Sequence, residues 1–395
     1  MTARRQASGE RELCRRPDAF LQGFGRDLHS AAERSMARAY INRIGRAVPA
    51  HDVHRKFVTF APTLLADERA RRLFARMAER SQIEHRYSCL APSAAADEVD
   101  DGGFYRRGAF PDTAARMSRY DREALPLALS AVRDLALSEP ERSGITHLIV
   151  ASCTGFVAPG LDLQLAAALG LATDIERTCV GFMGCYASLP ALKLARHIVR
   201  SEPSSRVLVV ALELCTLHLQ ESGSIDELLS FLLFADGCAA ALVTAEPTGI
   251  EVQAFAAAVL PETDRHITWR IGASGFDMHL SGQVPGAILR HLPRMLPDLL
   301  PGSGRQDIAV WAVHPGGRSV LDAVDEGLEL DAGALAHSRR ILRDYGNMSS
   351  GTILFVLRDI LDARARGLDG QARGPGCAMA FGPGVAVETM TFAVQ

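Results

Sequence analysis

Short apolar runs alternating with amphipathic stretches set the rhythm of this chain. Tyr40-Ile41-Asn42-Arg43-Ile44 reads as a first strand. Residues 146–151, 207–212, 237–244 and 308–313 are apolar runs of strand length, as expected for strands covered on both faces. Residues 179–183, 377–380 and 385–391 are further strand candidates. Between them the period changes to that of a helix. Residues 67–80 pair Leu73, Phe74 and Met77 with a basic face, and residues 121–137, 185–199, 318–328 and 350–365 read as further helices. Pro190 falls in the first turn of the third of these, where a missing N–H costs least. Buried strands alternating with helices predict an α/β layered fold.

The alternation begins near Arg38, so residues 1–37, polar and rich in arginine, read as a flexible extension. The turn cluster Glu246-Pro247-Thr248-Gly249 divides the rest into halves, 38–248 and 249–395. The second repeats the first in pattern only.

Composition narrows the class. Of 395 residues, 48% are hydrophobic and 23% charged, an ordinary globular balance. A net charge of −3 gives nucleic acid no general attraction. No apolar run reaches the roughly 18 residues of a membrane span, and no apolar leader opens the chain. The eight cysteines form no Cys-x-x-Cys pair and no cluster with zinc spacing, so no metal is expected and a reducing cytoplasm fits.

Three residues carry candidate chemistry. Cys185 follows Gly184 at a strand-to-helix turn; it is either a core thiol or a nucleophile whose thiolate a helix N-terminus favours. His314 ends an apolar strand at Pro315-Gly316-Gly317; it is either structural or displayed on a loop for catalysis. Asn347, after Gly346, is either a turn residue or an amide donor aimed into a cavity. A thiol can hold an acyl group, while an imidazole and an amide can hold an enolate oxygen. Together they suit carbon–carbon bond formation between thioesters. The same order of Cys, His and Asn also fits a papain-like hydrolase, although the local papain signature is missing. Arg69, Arg72 and Arg76 are either a solvated helix face or contacts for the phosphates of a phosphorylated ligand, coenzyme A under the resemblance described next.

From Arg38 onward the chain resembles the type III polyketide synthases, the group of chalcone and stilbene synthases and their bacterial relatives. The resemblance rests on Thr146-His147-Leu148-Ile149-Val150, Pro159-Gly160-Leu161-Asp162, Leu169-Gly170-Leu171, Gly184-Cys185, Phe234-Ala235-Asp236-Gly237, His314-Pro315-Gly316-Gly317, Tyr345-Gly346-Asn347-Met348-Ser349-Ser350 and Phe381-Gly382-Pro383-Gly384. It implies a thiolase-like αβαβα fold of two similar halves, usually a homodimer. It also implies acyl-CoA and malonyl-CoA as substrates, with no permanently bound cofactor. Cys185 would then accept the acyl group. His314 would assist thiolate formation as an ion-pair partner, and His314 with Asn347 would hold the enolate oxygen. Phe234 matches a gating phenylalanine, and Met278 stands where the second gate is expected. Cys153, Thr154, Cys215, His218, Trp269 and Ser349 match cavity positions, with Gly382 and Pro383 in the adjoining loop. Ala380 replaces the glycine usual before Phe381. The apolar cavity points to an aliphatic acyl starter and an alkylpyrone or alkylresorcinol type of product. A ketoacyl synthase of the initiating kind, which shares fold and triad but condenses once onto a carrier protein, is the nearest alternative.

Overall fold

The computed structural model describes residues 37–368 and 374–395, so the expected N-terminal extension lies almost entirely outside the described residues. Thirteen strands are described. In chain order they are β1 (Ala39–Ala47), β2 (His51–Asp52), β3 (Tyr87–Ser88), β4 (His147–Ser152), β5 (Glu176–Gly181), β6 (Val207–Leu214), β7 (Asp236–Thr244), β8 (Ile250–Val259), β9 (Ile267–Gly272), β10 (Gly275–Leu280), β11 (Val310–Val313), β12 (Pro375–Gly382) and β13 (Ala386–Val394). Nine form one mixed sheet in the order β11-β12-β13-β8-β1-β7-β6-β4-β5.

The sheet has an internal symmetry centred where β1 meets β8. Outward from β1, the pairings with β7 and β6 are antiparallel and those with β4 and β5 parallel. Outward from β8, the pairings with β13 and β12 are antiparallel and that with β11 parallel. The two half-sheets are joined narrowly, through Ala39, Tyr40 and Ile41 opposite Val252, Glu251 and Ile250.

Three apolar clusters fill the layers. The central one combines helices Ser188–Ser201 and Thr352–Ala365 with residues from both half-sheets, among them Ile149, Val209, Ala312 and Met390. The outer cluster of the first half packs helix Thr113–Asp134 on Leu148, Val150, Leu208 and Val210. That of the second packs helices Val284–Leu299 and Arg318–Gly327 on Trp311, Val313 and Met379. Alternate residues of β4, β6 and β11 therefore serve an outer and the inner layer, which is why those strands carry no polar face. This is the thiolase-like αβαβα arrangement of two similar halves.

Local differences from the sequence reading have local causes. The basic helix spans Glu68–Arg80 because Asp67 caps it, accepting from Ala70 N at 2.8 Å. The next helix starts at Thr113, not 121, because Asp112 caps it through Ala115 N at 2.8 Å. Helix Val284–Leu299, with Pro293 and Pro297 inside it, the β9–β10 hairpin and β8 were not predicted. The hairpin is half-exposed and mixes polar with apolar residues, so its pattern is weak.

Candidate active site

The turn after β5 presents Cys185. Phe182 and Gly184 both take the left-handed region, with φ of 59° and 77°. Gly184 opens a short 3-10 turn to Tyr186, after which helix Ser188–Ser201 begins. A Cβ on Gly184 would stand 2.6 Å from Pro383 Cδ. Glycine is therefore required twice, by its φ and by the loop that clamps the turn. Cys185 remains partly accessible, whereas Cys153, Cys215, Cys238 and Cys377 are buried.

Asn347 comes from the second half of the chain. Its backbone N donates to Leu233 O at 2.8 Å, and Ala235 N donates back to Asn347 O at 2.9 Å, so Phe234 and Asn347 are held side by side. Ser349 N donates to Asn347 Oδ1 at 2.8 Å. That bond fixes which end of the amide is which: Nδ2 is the donor end, and it makes a long 3.4 Å approach to Gly316 O. The Asn347 amide and the Ser349 hydroxyl both lie within hydrogen-bonding reach of the Cys185 thiol. Ser349 has a φ of 46°, a strained conformation for a non-glycine residue.

His314 follows β11, its backbone N bonded to Met379 O at 2.8 Å. Its side chain is buried, and neither ring nitrogen has a partner in the protein. Burial pulls its pKa down to about 3, so the imidazole is neutral at physiological pH. Burial likewise pushes the Cys185 thiol up to about 11, against the hydrogen bonds from Ser349 and Asn347. Burial therefore works against the resting pair of thiolate and imidazolium expected from the sequence. Two groups in a dry chamber with no counter-charge both favour their neutral forms.

Behind the cysteine lies Glu213, fully buried at the end of β6. It accepts from Cys153 N (3.0 Å), Cys153 Sγ (3.2 Å), Thr154 Oγ1 (2.8 Å) and Ser350 Oγ. Burial raises its pKa while these donors oppose the rise. The carboxyl ties three segments of the chamber wall together. The sequence reading passed it over; the available signal was one acidic residue in an otherwise apolar strand.

Cys185, His314 and Asn347 open onto one chamber of about 710 Å³ of atom-free space. Of the expected cavity residues, Phe234, Met278, Cys153, Thr154, Cys215, Trp269, Ser349, Gly382 and Pro383 all line it. Met278 and Trp269 are register partners across the β9–β10 hairpin, and the bond from Trp269 Nε1 to Cys153 O (2.9 Å) fastens that hairpin over the chamber. His218 is the exception. It sits behind the wall, stacked on Phe276 at 4.2 Å, with Nε2 bonded to Thr154 O (2.7 Å) and Nδ1 accepting from Phe276 N (3.1 Å). Both nitrogens are used in holding the wall. With burial pulling its pKa to about 3, it is a neutral structural residue.

An open groove of about 1440 Å³ adjoins the chamber, sharing Leu280, Val284, Gly316 and Val320 with it. Arg80 and Arg318 border this groove; Arg69, Arg72 and Arg76 do not. Those three lie on the exposed stripe of helix Glu68–Arg80 that runs toward Arg80, at spacings of three and four residues. Among the described residues, no group of three or more His, Cys, Asp or Glu side chains could hold a metal ion. None of the described helices is long and apolar enough to cross a membrane.

Comparison with known proteins gives the same family from both halves. Residues 27–247 match the N-terminal domain of chalcone and stilbene synthases, and residues 251–394 match the C-terminal domain. The chain is 33% identical, over 83% of its length and 84% of the relative's, to the alpha-pyrone synthesis polyketide synthase-like Pks18 of Mycobacterium tuberculosis. It is 36% identical to bisdemethoxycurcumin synthase of Oryza sativa subsp. japonica, over 67% of this chain and 72% of that one. The solved structure of PKS-I from the brown alga Ectocarpus siliculosus superposes with a TM-score of 0.81 at 27% identity, covering 91% of this chain and 99% of that one. The chain belongs to the chalcone and stilbene synthase family, the type III polyketide synthases, enzymes that transfer acyl groups in condensation reactions.

Proposed function

We propose that this chain extends an acyl-CoA starter held on Cys185 by repeated decarboxylative condensation with malonyl-CoA, then releases a cyclised pyrone or resorcinol. The observation that carries this reading is one chamber shared by a thiol from the first half of the chain and an imidazole and an amide from the second.

The starter carbonyl enters from the groove, whose Arg80 and Arg318 suit the phosphates of coenzyme A, with Arg69, Arg72 and Arg76 further along the same helix. As Cys185 Sγ attacks, its proton passes to neutral His314. The C–S bond to coenzyme A breaks, and the departing thiolate takes that proton. Malonyl-CoA then loses CO2. The enolate oxygen is held by an N–H of His314 and by Asn347 Nδ2, both already oriented and dry. The enolate carbon attacks the Cys185 thioester, a carbon–carbon bond forms and the sulfur is freed for the next cycle.

An apolar wall of Ile267, Leu280, Val284 and Met278 favours an aliphatic starter. The same reading takes free coenzyme A thioesters as substrates, with no resident cofactor, in the cytoplasm. It takes the assembly to be a homodimer; β5, the last strand of the sheet, leaves an edge that a second copy could pair. The division into a Cys185-bearing half to residue 248 and a His314- and Asn347-bearing half from 249 belongs to it too.

The test is mass spectrometry of products formed from a panel of acyl-CoA starters with malonyl-CoA, beside a Cys185→Ala control. Products extended by several ketide units from free thioesters, lost in the control, are expected. A single condensation that needs an acyl-carrier protein would overturn iteration. Preference for aromatic over all fatty starters would overturn the aliphatic assignment.

A further inference from the structure

A second, smaller cavity, partly open to solvent, lies against the first, and Phe234 is the residue that lines both. Its apolar walls are Phe57, Leu90, Val99, Leu219 and Phe231. None of the chemistry above uses it.

One wall is a cation. Arg86 is buried, its guanidinium lying 4.8 Å from the centre of the Phe57 ring. Nε donates to His54 Nδ1 at 3.0 Å, and Nη1 donates to Phe231 O (2.9 Å) and Phe234 O (2.6 Å). Nη2 is buried with no partner. Burial pulls the Arg86 pKa down to about 10, which leaves it charged at physiological pH.

Asp52 and Asp236 favour the Arg86 charge from a distance, but their oxygens are bonded elsewhere and not to its Nη2. Asp52 accepts from the backbone N of Arg86 and from His85, and Asp236 accepts from Cys89 N, Thr216 N and Thr216 Oγ1. Asp100, at the chamber wall, accepts from Phe104 N and Tyr105 N, one on each oxygen. Lys56 adds a second cation to the lining. A buried guanidinium with a spare donor beside an apolar cavity lacks an acceptor, and a negative one answers the charge as well. Bare inorganic ions would leave the apolar walls uncovered.

We propose that this second chamber binds a small carboxylate with an apolar body, one carboxylate oxygen accepting from Arg86 Nη2 and the body packing on Phe57, Leu90 and Phe231. Its occupant braces Phe234 from behind and so bears on the main chamber, a consequence that rests on the catalytic reading; the binding itself does not.

Hexanoate serves as the probe, with hexan-1-ol as the same body without charge and chloride as charge without body. Calorimetric titration of the full chain is expected to give one hexanoate site in the wild type and in Met278→Trp, which crowds the main chamber only. Val99→Phe, which fills the second chamber, weakens binding at least about tenfold, and Val99→Ala, which leaves it open, does not. Hexan-1-ol binds at least about tenfold more weakly than hexanoate, and chloride does not compete. A crystal soaked in hexanoate places the carboxylate on Arg86. Equal binding by wild type and Val99→Phe, equal binding of hexan-1-ol, or loss in Met278→Trp alone would each overturn the proposal.

Discussion

Removing the amide of Asn347 separates its roles in holding the site and in the chemistry. Its Oδ1 accepts from Ser349 N at 2.8 Å, while Nδ2 makes a long 3.4 Å contact with Gly316 O and faces the Cys185 thiol. Nδ2 is therefore the end that serves an enolate. Loss of one such preorganised donor raises the barrier by about 2.7–4 kcal/mol, or about 10²–10³-fold in rate. Asn347→Asp and Asn347→Ala both lose the N–H. They differ in structure: Asp keeps an acceptor for Ser349 N, whereas Ala orphans that buried donor at a cost of about 1–3 kcal/mol. The cost falls on a turn already strained at Ser349. The assay is formation of acetyl-CoA from malonyl-CoA in a Cys185→Ala background, where no condensation consumes the product. Both variants are expected to slow it by about two to three orders of magnitude, and only Ala to lose stability in urea. A decarboxylation rate within about threefold of the parent, in folded Asp and Ala variants alike, would refute the assignment of Nδ2 as an enolate donor.

Three further outcomes are expected. With its thiol pushed up to about 11 by burial, Cys185 in the free protein should be alkylated by iodoacetamide at a rate climbing about tenfold per pH unit from pH 7 to 10, followed by peptide mass spectrometry; a plateau near 8.5 would count against it. His314 binds its proton only near pH 3 in the fold but near 6.5 unfolded, so it contributes stability above about 6.5 that is lost as pH falls toward 3. Because Asp236, raised to about 6, acts in the opposite sense, the measurement is the difference in urea stability between wild type and His314→Gln. Wild type should lose up to about 1.4 kcal/mol per pH unit relative to the variant in that window, and a pH-independent difference would exclude the effect. Trp269→Ala removes the indole that covers the chamber and its bond to Cys153 O, and should shift products toward longer chains by mass spectrometry; an unchanged length distribution would show that this wall does not limit extension.

Much of this protein is local in origin and so was legible along the chain. The strands of the sheet interior are apolar over most of their length, as in residues 207–212 of β6 and 238–243 of β7, because both faces are covered. Gly184 before Cys185 and the loop after His314 mark where backbone must bend at a strand end. The order of Cys185, His314 and Asn347, with the motifs around them, identified the family.

What the linear order could not contain is which groups share a volume. The β9–β10 hairpin has little periodicity of its own, yet packing against Cys153 makes its Trp269 and Met278 a wall of the chamber. His218 matched a cavity position, but both its nitrogens are consumed in the wall, and a saturated side chain turns away from the cavity it supports. The push of burial on Cys185 and His314 was hidden for a related reason. Sequence supplies the pair, but desolvation depends on every residue that excludes water around them, and those come from both halves of the chain. Arg86 was silent, and Glu213 showed only as one acidic residue in an apolar run, because the role of a buried charge is set by the donors, acceptors and empty space that tertiary structure places around it.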